Sequence, residues 1–140
     1  MDQRDEEIVR TCEAAVTRLT EQGWEQDRFV AGDYWSGTDS GGREFHYSGA
    51  SACLGGALVL AQFDKPKPVN IYSLMQACAA VAAVADTIRE LPIERRRFVR
   101  VRERSDRDVV FSFNDRRGRT RQDVIDVLND TIKRHNGGAA

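Results

Sequence analysis

The feature that most constrains the fold is the longest apolar stretch of the chain, LMQACAAVAAVA at residues 74–85. Half of its twelve residues are alanine, the residue with the highest intrinsic helix propensity. A membrane-spanning helix needs about 20 consecutive apolar residues, so this stretch indicates a buried helix of a globular protein and no membrane span. Apolar residues recur at helical spacing over residues 71–91, with Asn70 as a suitable N-cap and Pro92 as a stop. We therefore expect one long central helix over residues 71–91.

Three other segments have the apolar periodicity of amphipathic helices. Residues 5–22 and residues 51–62 each carry an apolar stripe, and so does the segment that follows Thr120. Ser51 and Thr120 are N-cap candidates, because their hydroxyl groups accept hydrogen bonds from backbone N–H groups of a first helical turn. Asp123 lies three residues after Thr120, which is the spacing of a capping box. These segments complete a set of about four helices.

Two segments without this periodicity favour short antiparallel hairpins. In residues 25–50, the runs DYWSG and REFHYSG flank TDSGG, a sequence rich in turn-forming residues. In residues 98–113, apolar residues alternate or cluster on both sides of a predicted turn at Ser105 and Asp106. We therefore predict an α+β fold class, with about four helices around a buried central helix and one or two short antiparallel hairpins.

The length and cysteine content predict one domain in a reducing compartment. A chain of 140 residues has the usual size of a single domain, which we place at residues 1–140 with frayed ends at about 1–4 and 136–140. Three cysteines cannot all pair, and none has metal-site spacing, so we expect free thiols in the cytoplasm. The acidic start lacks the apolar region of a signal peptide. We expect neither a metal ion nor a cofactor, since the two histidines are far apart.

Charge is distributed unevenly along a chain whose net charge is −1. Residues 1–50 hold 11 acidic residues and 5 arginines, whereas residues 94–121 hold 11 arginines and 5 acidic residues. Two interpretations are open. The acidic and basic halves neutralise each other, within the fold or across a homo-oligomer, or the arginines form a basic surface for an anionic partner.

The arginines also offer a surface for partners. If residues 98–104 form a strand, Arg100, Arg102 and Arg104 lie on one face. Phe98 is the only aromatic residue among residues 95–107, so a base-stacking platform for nucleic acid has little support. The residues that we expect to contact a partner are Arg95, Arg97, Arg100, Arg102 and Arg104.

A second candidate site is Cys53, which stands among small residues in SGASACLGGAL. A helix N-terminus would lower the pKa of the Cys53 thiol. With His46 as its base and Asp115 as the orienting group, Cys53 would resemble the nucleophile of a thiol enzyme. The alternative is structural. Gly55 and Gly56 each cost a helix about 1 kcal/mol, which indicates close backbone packing with Cys53 as a small apolar residue. We favour the structural interpretation.

A third candidate is the turn before the last helix. Asn114 and Asp115 are typical of Asx turns, and with Gly118 and Thr120 they predict a compact helix start. Such a start is also able to bind an anion. The basic residues that would contribute to the anion site are Arg116, Arg117 and Arg119.

Three sequence pieces together resemble a known family. They are EQGWEQ after the first helix, CLGGAL at the second, and FNDRRGRTRQDVIDVLNDTI at the C-terminus. This combination is similar to a domain-of-unknown-function family of small actinobacterial and actinophage proteins. The chain departs from the family pattern at Phe113, where a tryptophan is usual, and in residues 94–107, which look like an elaboration. The resemblance implies an origin in a GC-rich bacterium or its phage, and no mechanism.

We conclude from the sequence that the chain is a small, non-catalytic binding or regulatory protein of the cytoplasm. The resemblance suggests a phage as one source of the chain, and we expect the protein to engage a host protein or to assemble with itself. The interaction surface would be the arginine-rich one. The alternatives are a nucleic-acid-binding protein that uses the same arginines and a thiol-dependent enzyme with Cys53 as its nucleophile.

Overall fold

Helices form nearly all of the regular structure in residues 2–27, 51–63, 71–96 and 104–136, which are the residues that the computed structural model describes. Four of the helices begin at an N-cap residue whose side chain accepts a backbone hydrogen bond, and most of the buried helix faces join one apolar core. The helices are α1 (Gln3–Glu21), α2 (Leu54–Gln62), α3 (Ile71–Ala77), α4 (Ala79–Arg89), α5 (Ile93–Arg96), α6 (Asp106–Asp115) and α7 (Arg121–His135).

The predicted α+β class is wrong, since the described residues contain helices and no strand. The second predicted hairpin fails because residues 109–113 lie within α6. Ser105, predicted as part of a turn, is the N-cap of that helix, and its hydroxyl accepts a hydrogen bond from Asp108 N at 3.3 Å. Val109, Val110 and Phe113 then share the buried face of one helix. Most of the first predicted hairpin, residues 28–50, lies outside the described residues.

The predicted central helix is two helices in the structure. The chain leaves helical geometry at Cys78, which has extended backbone angles and precedes α4 as its N-cap. Neither glycine nor proline is present at this point, so tertiary packing overrides a local sequence that favours a helix. α4 nevertheless occupies the predicted central place, because it packs against α1, α6 and α7. The N-cap predicted for the long helix, Asn70, lies outside the described residues.

The first and last helices lie where the apolar stripes predict them. α1 begins two residues before the predicted start, because the Asp2 carboxylate accepts a hydrogen bond from Asp5 N at 2.7 Å. The predicted Thr120 capping box is confirmed: Thr120 Oγ1 accepts from Asp123 N at 3.1 Å, and Asp123 Oδ2 accepts from Thr120 N at 3.0 Å. The buried residues of these two helices include Ile8, Cys12, Ala15, Leu19, Val124, Ile125, Val127 and Leu128.

Candidate functional site

The three sequence pieces that carry the family resemblance meet at the start of α2. Gly23 ends α1 with a φ of +103°, a left-handed conformation that favours glycine, and a Cβ there would lie 3.2 Å from Ser51 Cβ. The chain then runs alongside the residues before α2. Ala52 N donates to Gly23 O at 3.2 Å, and Glu25 N donates to Ala52 O at 3.0 Å. We call the region formed by residues 23–27, 51–56 and 113–115 the junction.

Asn114 is the centre of the junction and is fully buried. Its Oδ1 accepts hydrogen bonds from Trp24 Nε1 at 2.7 Å and from Leu54 N at 2.9 Å. Its Nδ2 donates to Glu25 O at 3.0 Å and to Asp115 Oδ1 at 2.9 Å. An amide side chain offers two donors and two acceptor lone pairs, so Asn114 uses all four. One of these bonds satisfies a backbone N–H that the first turn of α2 would otherwise leave without a partner.

Cys53 lies at the N-cap of α2, one residue before the first helical position. Its Sγ accepts a hydrogen bond from Gly56 N at 3.2 Å, and the residue is 1 % exposed. Burial, with a smaller contribution from the nearby charge of Asp115, raises the pKa of the Cys53 thiol to about 12. The thiol is therefore protonated at neutral pH, which argues against a thiolate nucleophile.

The other members of the proposed catalytic group do not complete it among the described residues. The Asp115 carboxylate accepts hydrogen bonds at Oδ1 from Asp27 N at 2.8 Å and from Asn114 Nδ2. It thus closes the loop that follows Trp24. His46 lies outside the described residues. Ser51, predicted as the N-cap of the second helix, instead donates its hydroxyl to Glu25 Oε1 at 2.7 Å.

Close packing explains one of the glycines that follow Cys53. A Cβ on Gly55 would lie 2.8 Å from Met75 Cε and 3.5 Å from Phe111 Cε1. The backbone of α2 therefore approaches side chains of α3 and α6 at this point. This contact supports the small-residue interpretation of SGASACLGGAL.

Arg119 has a role that the sequence did not predict. Its side chain is 1 % exposed, and its Cζ lies 3.7 Å from the centre of the Phe113 ring. The guanidinium donates three hydrogen bonds to backbone oxygens: Nε to Phe113 O at 2.7 Å, one Nη to Arg95 O at 2.7 Å, and the other to Arg96 O at 2.9 Å. Arg119 thus holds the end of α5 against the end of α6.

The other two residues of the predicted anion site face solvent. Arg116 and Arg117 are exposed on a turn in which Gly118 has a φ of +86°. Gln26 Nε2 donates to Arg116 O and to Asn114 O, both at 3.1 Å, which fixes the start of this turn. The N-terminus of α7 is already capped by the Asp123 carboxylate, which takes the place that an anion would occupy. The Arg119 guanidinium donates to backbone carbonyls of other segments instead of facing that N-terminus. The structure therefore does not bring the three arginines together around one anion.

Of the predicted partner-contact residues, the structure describes Arg95 and Arg104. Arg95 is 46 % exposed and pairs with Asp130 at 3.0 Å. Arg104 is also exposed, and its backbone oxygen accepts a hydrogen bond from an Nη of Arg89 at 3.0 Å. Arg97, Arg100 and Arg102 lie between them, outside the described residues. We call residues 95–104 the arginine segment.

Ion pairs join several arginines of the second half of the chain to acidic residues of the same half. Arg89 contacts both Asp86 and Asp106 at 2.8 Å, and Arg134 contacts Glu90 at 2.9 Å. One pair, His135 with Asp5 at 2.7 Å, connects the two ends of the chain. None of these four pairs, all between described residues, joins an arginine of residues 94–121 to an acid of residues 1–50.

Sequence reasoning missed three features: the hydrogen bonds of Gln26, the hydrogen bond between Trp24 and Asn114, and the buried guanidinium of Arg119 beside the junction. The available signal was the co-occurrence of the Gly-Trp, Cys-Leu-Gly-Gly and Asn-Asp pieces in one chain, which suggests that they meet in space. Local spacing contains no such information, since Trp24 and Asn114 are 90 residues apart.

Two further properties concern the described part of the chain. No three His, Cys, Asp or Glu side chains there are grouped so that they would hold a metal ion. Across residues 2–27, 51–63, 71–96 and 104–136, no helix has the length and apolar character needed to cross a membrane.

Comparison with known protein families gives a match. A family model described as a family of unknown function, DUF6197, matches residues 3–134. Neither the curated proteins nor the solved structures contain a significant match to the chain.

Proposed function

The chain belongs to DUF6197, a family of unknown function, and we propose that it is a non-catalytic protein that binds another protein through its arginine segment. The match confirms the prediction that the chain belongs to an uncharacterised domain family. An origin in an actinobacterium or its phage, a location in the cytoplasm and a host protein as the partner are further parts of the proposal.

The first support is the use of polar groups in the junction. Asn114 uses all of its hydrogen-bonding groups in bonds to Trp24, Leu54, Glu25 and Asp115. The thiol of Cys53 is buried and accepts a bond from a helix N–H. Groups engaged in this way hold the fold together, and a reaction at them would first require the junction to open.

The observation that carries the proposal is the attachment of both ends of the arginine segment to the body of the protein. Arg119, which is buried, holds the backbone oxygens of Arg95 and Arg96. Arg89 holds the backbone oxygen of Arg104. The attachments use main-chain oxygens, so they leave the exposed side chains of Arg95 and Arg104 at the surface.

The composition of the segment suits an acidic protein surface. Residues 95–104 contain six arginines and one glutamate. A guanidinium pairs with carboxylates through two parallel hydrogen bonds and is enriched among the residues that dominate interface energies. Fixing the two ends in advance reduces the conformational entropy that binding would cost.

The test is a pull-down from actinobacterial lysate with the full chain as bait, with and without nuclease, read by mass spectrometry. The bait variant replaces Arg97, Arg100 and Arg102 by glutamate. The control variant replaces three other exposed arginines by glutamate, so that its net charge changes by the same amount. These are Arg4, Arg10 and Arg121. We expect a partner that survives nuclease, is retained by the control and is lost with the bait variant.

Two results would contradict the proposal. If material is recovered only without nuclease, and its binding weakens steeply as salt rises, the arginines act on nucleic acid. If both variants retain the partner equally, the contact surface lies elsewhere on the molecule.

A further inference from the structure

The break at Cys78 divides the chain into two parts that share one core. We call residues 1–77, with α1, α2 and α3, the first part, and residues 78–140, with α4 to α7, the second part. α1 packs against α4 and α7, and both α2 and α3 pack against α6. The junction also crosses the division, since Trp24 donates to the Asn114 side chain. The two parts are therefore held together mainly by packing, and one backbone crossing connects them.

The backbone at this crossing departs from what its sequence favours. Residues 77–82 read ACAAVA, a run that favours a helix and contains neither glycine nor proline. Cys78 nevertheless has a φ of −89° and a ψ of 111° and gives α4 no side-chain cap. In a continuous helix, the first N–H groups of α4 would bond to carbonyl oxygens of α3. Local preference and the observed fold thus conflict at Cys78.

Packing of α3 offsets this local preference. Met75 is 1 % exposed, and a Cβ on Gly55 would lie 2.8 Å from its Cε. Phe111 of α6 borders the same space, at 3.5 Å from that Cβ. Gly55 and Met75 belong to the first part and Phe111 to the second. The α6 of another copy presents the same residues, so it can complete this contact equally well.

From this conflict we infer that a second copy of the chain is a partner, and that two copies exchange their first parts. In the exchanged dimer, α3 and α4 form one helix over residues 71–89, about 28 Å long. The first part of each copy packs on the second part of the other, so the core and the junction form again between copies. Exchange of identical elements is a low-cost route to dimers, and short hinges favour it. It does not depend on the arginine segment.

Refolding experiments test whether the exchanged dimer forms. The full chain is unfolded in urea and refolded at low and at high protein concentration, and light scattering after size exclusion gives the mass of the products. We expect monomers at low concentration and a species of twice that mass at high concentration. Because exchange requires the core to open, this species should persist on dilution. Monomers alone at every concentration would overturn the inference.

A cross-link distinguishes exchange from association through the surface. Asp5 and His135 belong to different parts and contact each other at 2.7 Å. In the double variant Asp5→Cys with His135→Cys, a short bismaleimide joins the two introduced thiols, whereas the native cysteines are buried. The link lies within one chain in the monomer and between chains in the exchanged dimer. We expect a dimer band on a denaturing gel from the refolded dimer and none from either single variant. A dimer that yields only monomer bands contradicts the exchange.

A proline at position 79 tests the continuous helix. Ala79 is the first residue of α4 and follows an extended residue, a place that proline tolerates. In the continuous helix the same proline removes a hydrogen bond and clashes with the preceding turn. We expect Ala79→Pro to lower the dimer fraction about 100-fold or more. The control is Arg121→Pro, at the first position of α7, which should dimerise like the parent.

Melting curves check that both proline variants fold. If Ala79→Pro does not fold, Cys78→Ala supplies the second test, because alanine favours the continuous helix more than cysteine does. Its dimer fraction should exceed that of the parent after refolding at the same concentration. Dimerisation of Ala79→Pro to the extent of the parent, or no increase in Cys78→Ala, would overturn the inference.

Discussion

At the scale of single residues, the side chains that mark the family resemblance act as connectors between distant segments. Asn114 joins the start of α2 to the chain after α1, and Arg119 joins α5 to α6. Both are buried polar groups whose partners include main-chain atoms, and Asn114 also bonds the half-buried side chains of Trp24 and Asp115. A buried polar group without a partner costs about 1–3 kcal/mol, so each connector is sensitive to substitution.

Asn114→Ala should strongly destabilise the protein. The substitution leaves Trp24 Nε1 and Leu54 N without their acceptor, and we expect the free energy of unfolding to fall by about 3 kcal/mol or more. Urea denaturation followed by circular dichroism measures the loss. The control is Asn129→Ala, at an exposed position of α7, which should change stability by less than about 1 kcal/mol. Equal effects of the two substitutions would show that Asn114 is not a connector.

Arg119→Lys should also be destabilising, although the charge is kept. A lysine ammonium has no planar fork and cannot reach Phe113 O, Arg95 O and Arg96 O together, so we expect a loss of about 2 kcal/mol or more. Arg117→Lys, on the exposed turn nearby, is the control and should have almost no effect. A melting temperature of Arg119→Lys within error of the parent would contradict the role of the fork.

The thiol of Cys53 should react slowly with iodoacetamide at neutral pH. Burial raises its pKa to about 12, so the thiolate is scarce and access requires local opening. Peptide mass spectrometry compares Cys53 with an introduced thiol at Ser73→Cys, which is exposed on α3. Alkylation of Cys53 faster than that of the introduced thiol would revive the thiol-enzyme alternative.

At the scale of elements, the helices are fixed by contacts at their ends and by close approach at a few positions. The last residue of α7 contacts the first turn of α1 through His135 and Asp5. α2 approaches α3 and α6 at Gly55. These contacts set how the helices are arranged, and each is open to a specific test.

Gly55→Leu should destabilise the packing of α2. The longer side chain meets Met75 and Phe111, and overpacking of this kind costs about 1–3 kcal/mol. Gly55→Ala differs, because its Cβ meets the flexible end of Met75 and alanine improves helix propensity by about 1 kcal/mol. We expect the alanine variant to melt close to the parent and the leucine variant clearly below it. Identical melting of the leucine variant would remove the packing explanation for this glycine.

The contact between α1 and α7 should make stability depend on acid pH. A hydrogen bond from His135 holds the pKa of the Asp5 carboxyl below its ordinary value of 3.8. The contribution of Asp5 is therefore present above pH 3.8 and is lost as the pH falls through the lower pKa of the folded state. Glu6 is exposed in the same first turn, which makes Glu6→Gln the control for Asp5→Asn.

Urea midpoints measured at several pH values below neutrality test this expectation. Asp5→Asn should flatten the loss of stability below pH 3.8, whereas Glu6→Gln should keep the steeper loss of the parent. A parent curve that Asp5→Asn leaves unchanged would show that the pair does not contribute.

At the scale of the whole molecule, local signals predicted some elements and misled about others. The apolar stripe of α1 and the capping box at Thr120 depend on neighbours in sequence, and both were predicted. α6 was missed because VVFSF is a short apolar run that fits a strand as well as a helix. Ser105 with Asp108 three residues later was the capping signal that distinguishes the two.

The break at Cys78 and the junction follow from tertiary contacts that no local pattern contains. The alanine-rich sequence around Cys78 favours an unbroken helix. The junction depends on hydrogen bonds between residues 60 to 90 positions apart. Sequence alone therefore singled out Cys53 and the Asn114-Asp115 pair and favoured structural roles for both, but it did not show that they meet in one junction.

The central claim is that partners bind at the arginine segment and leave the junction closed. The most direct measurement is amide hydrogen exchange of the full chain, free and in complex with the partner recovered by the pull-down. We predict slower exchange in peptides that cover residues 95–107 and unchanged exchange in peptides that cover residues 51–58. Slower exchange at residues 51–58, with residues 95–107 unaffected, would contradict the account and place the binding surface at the junction.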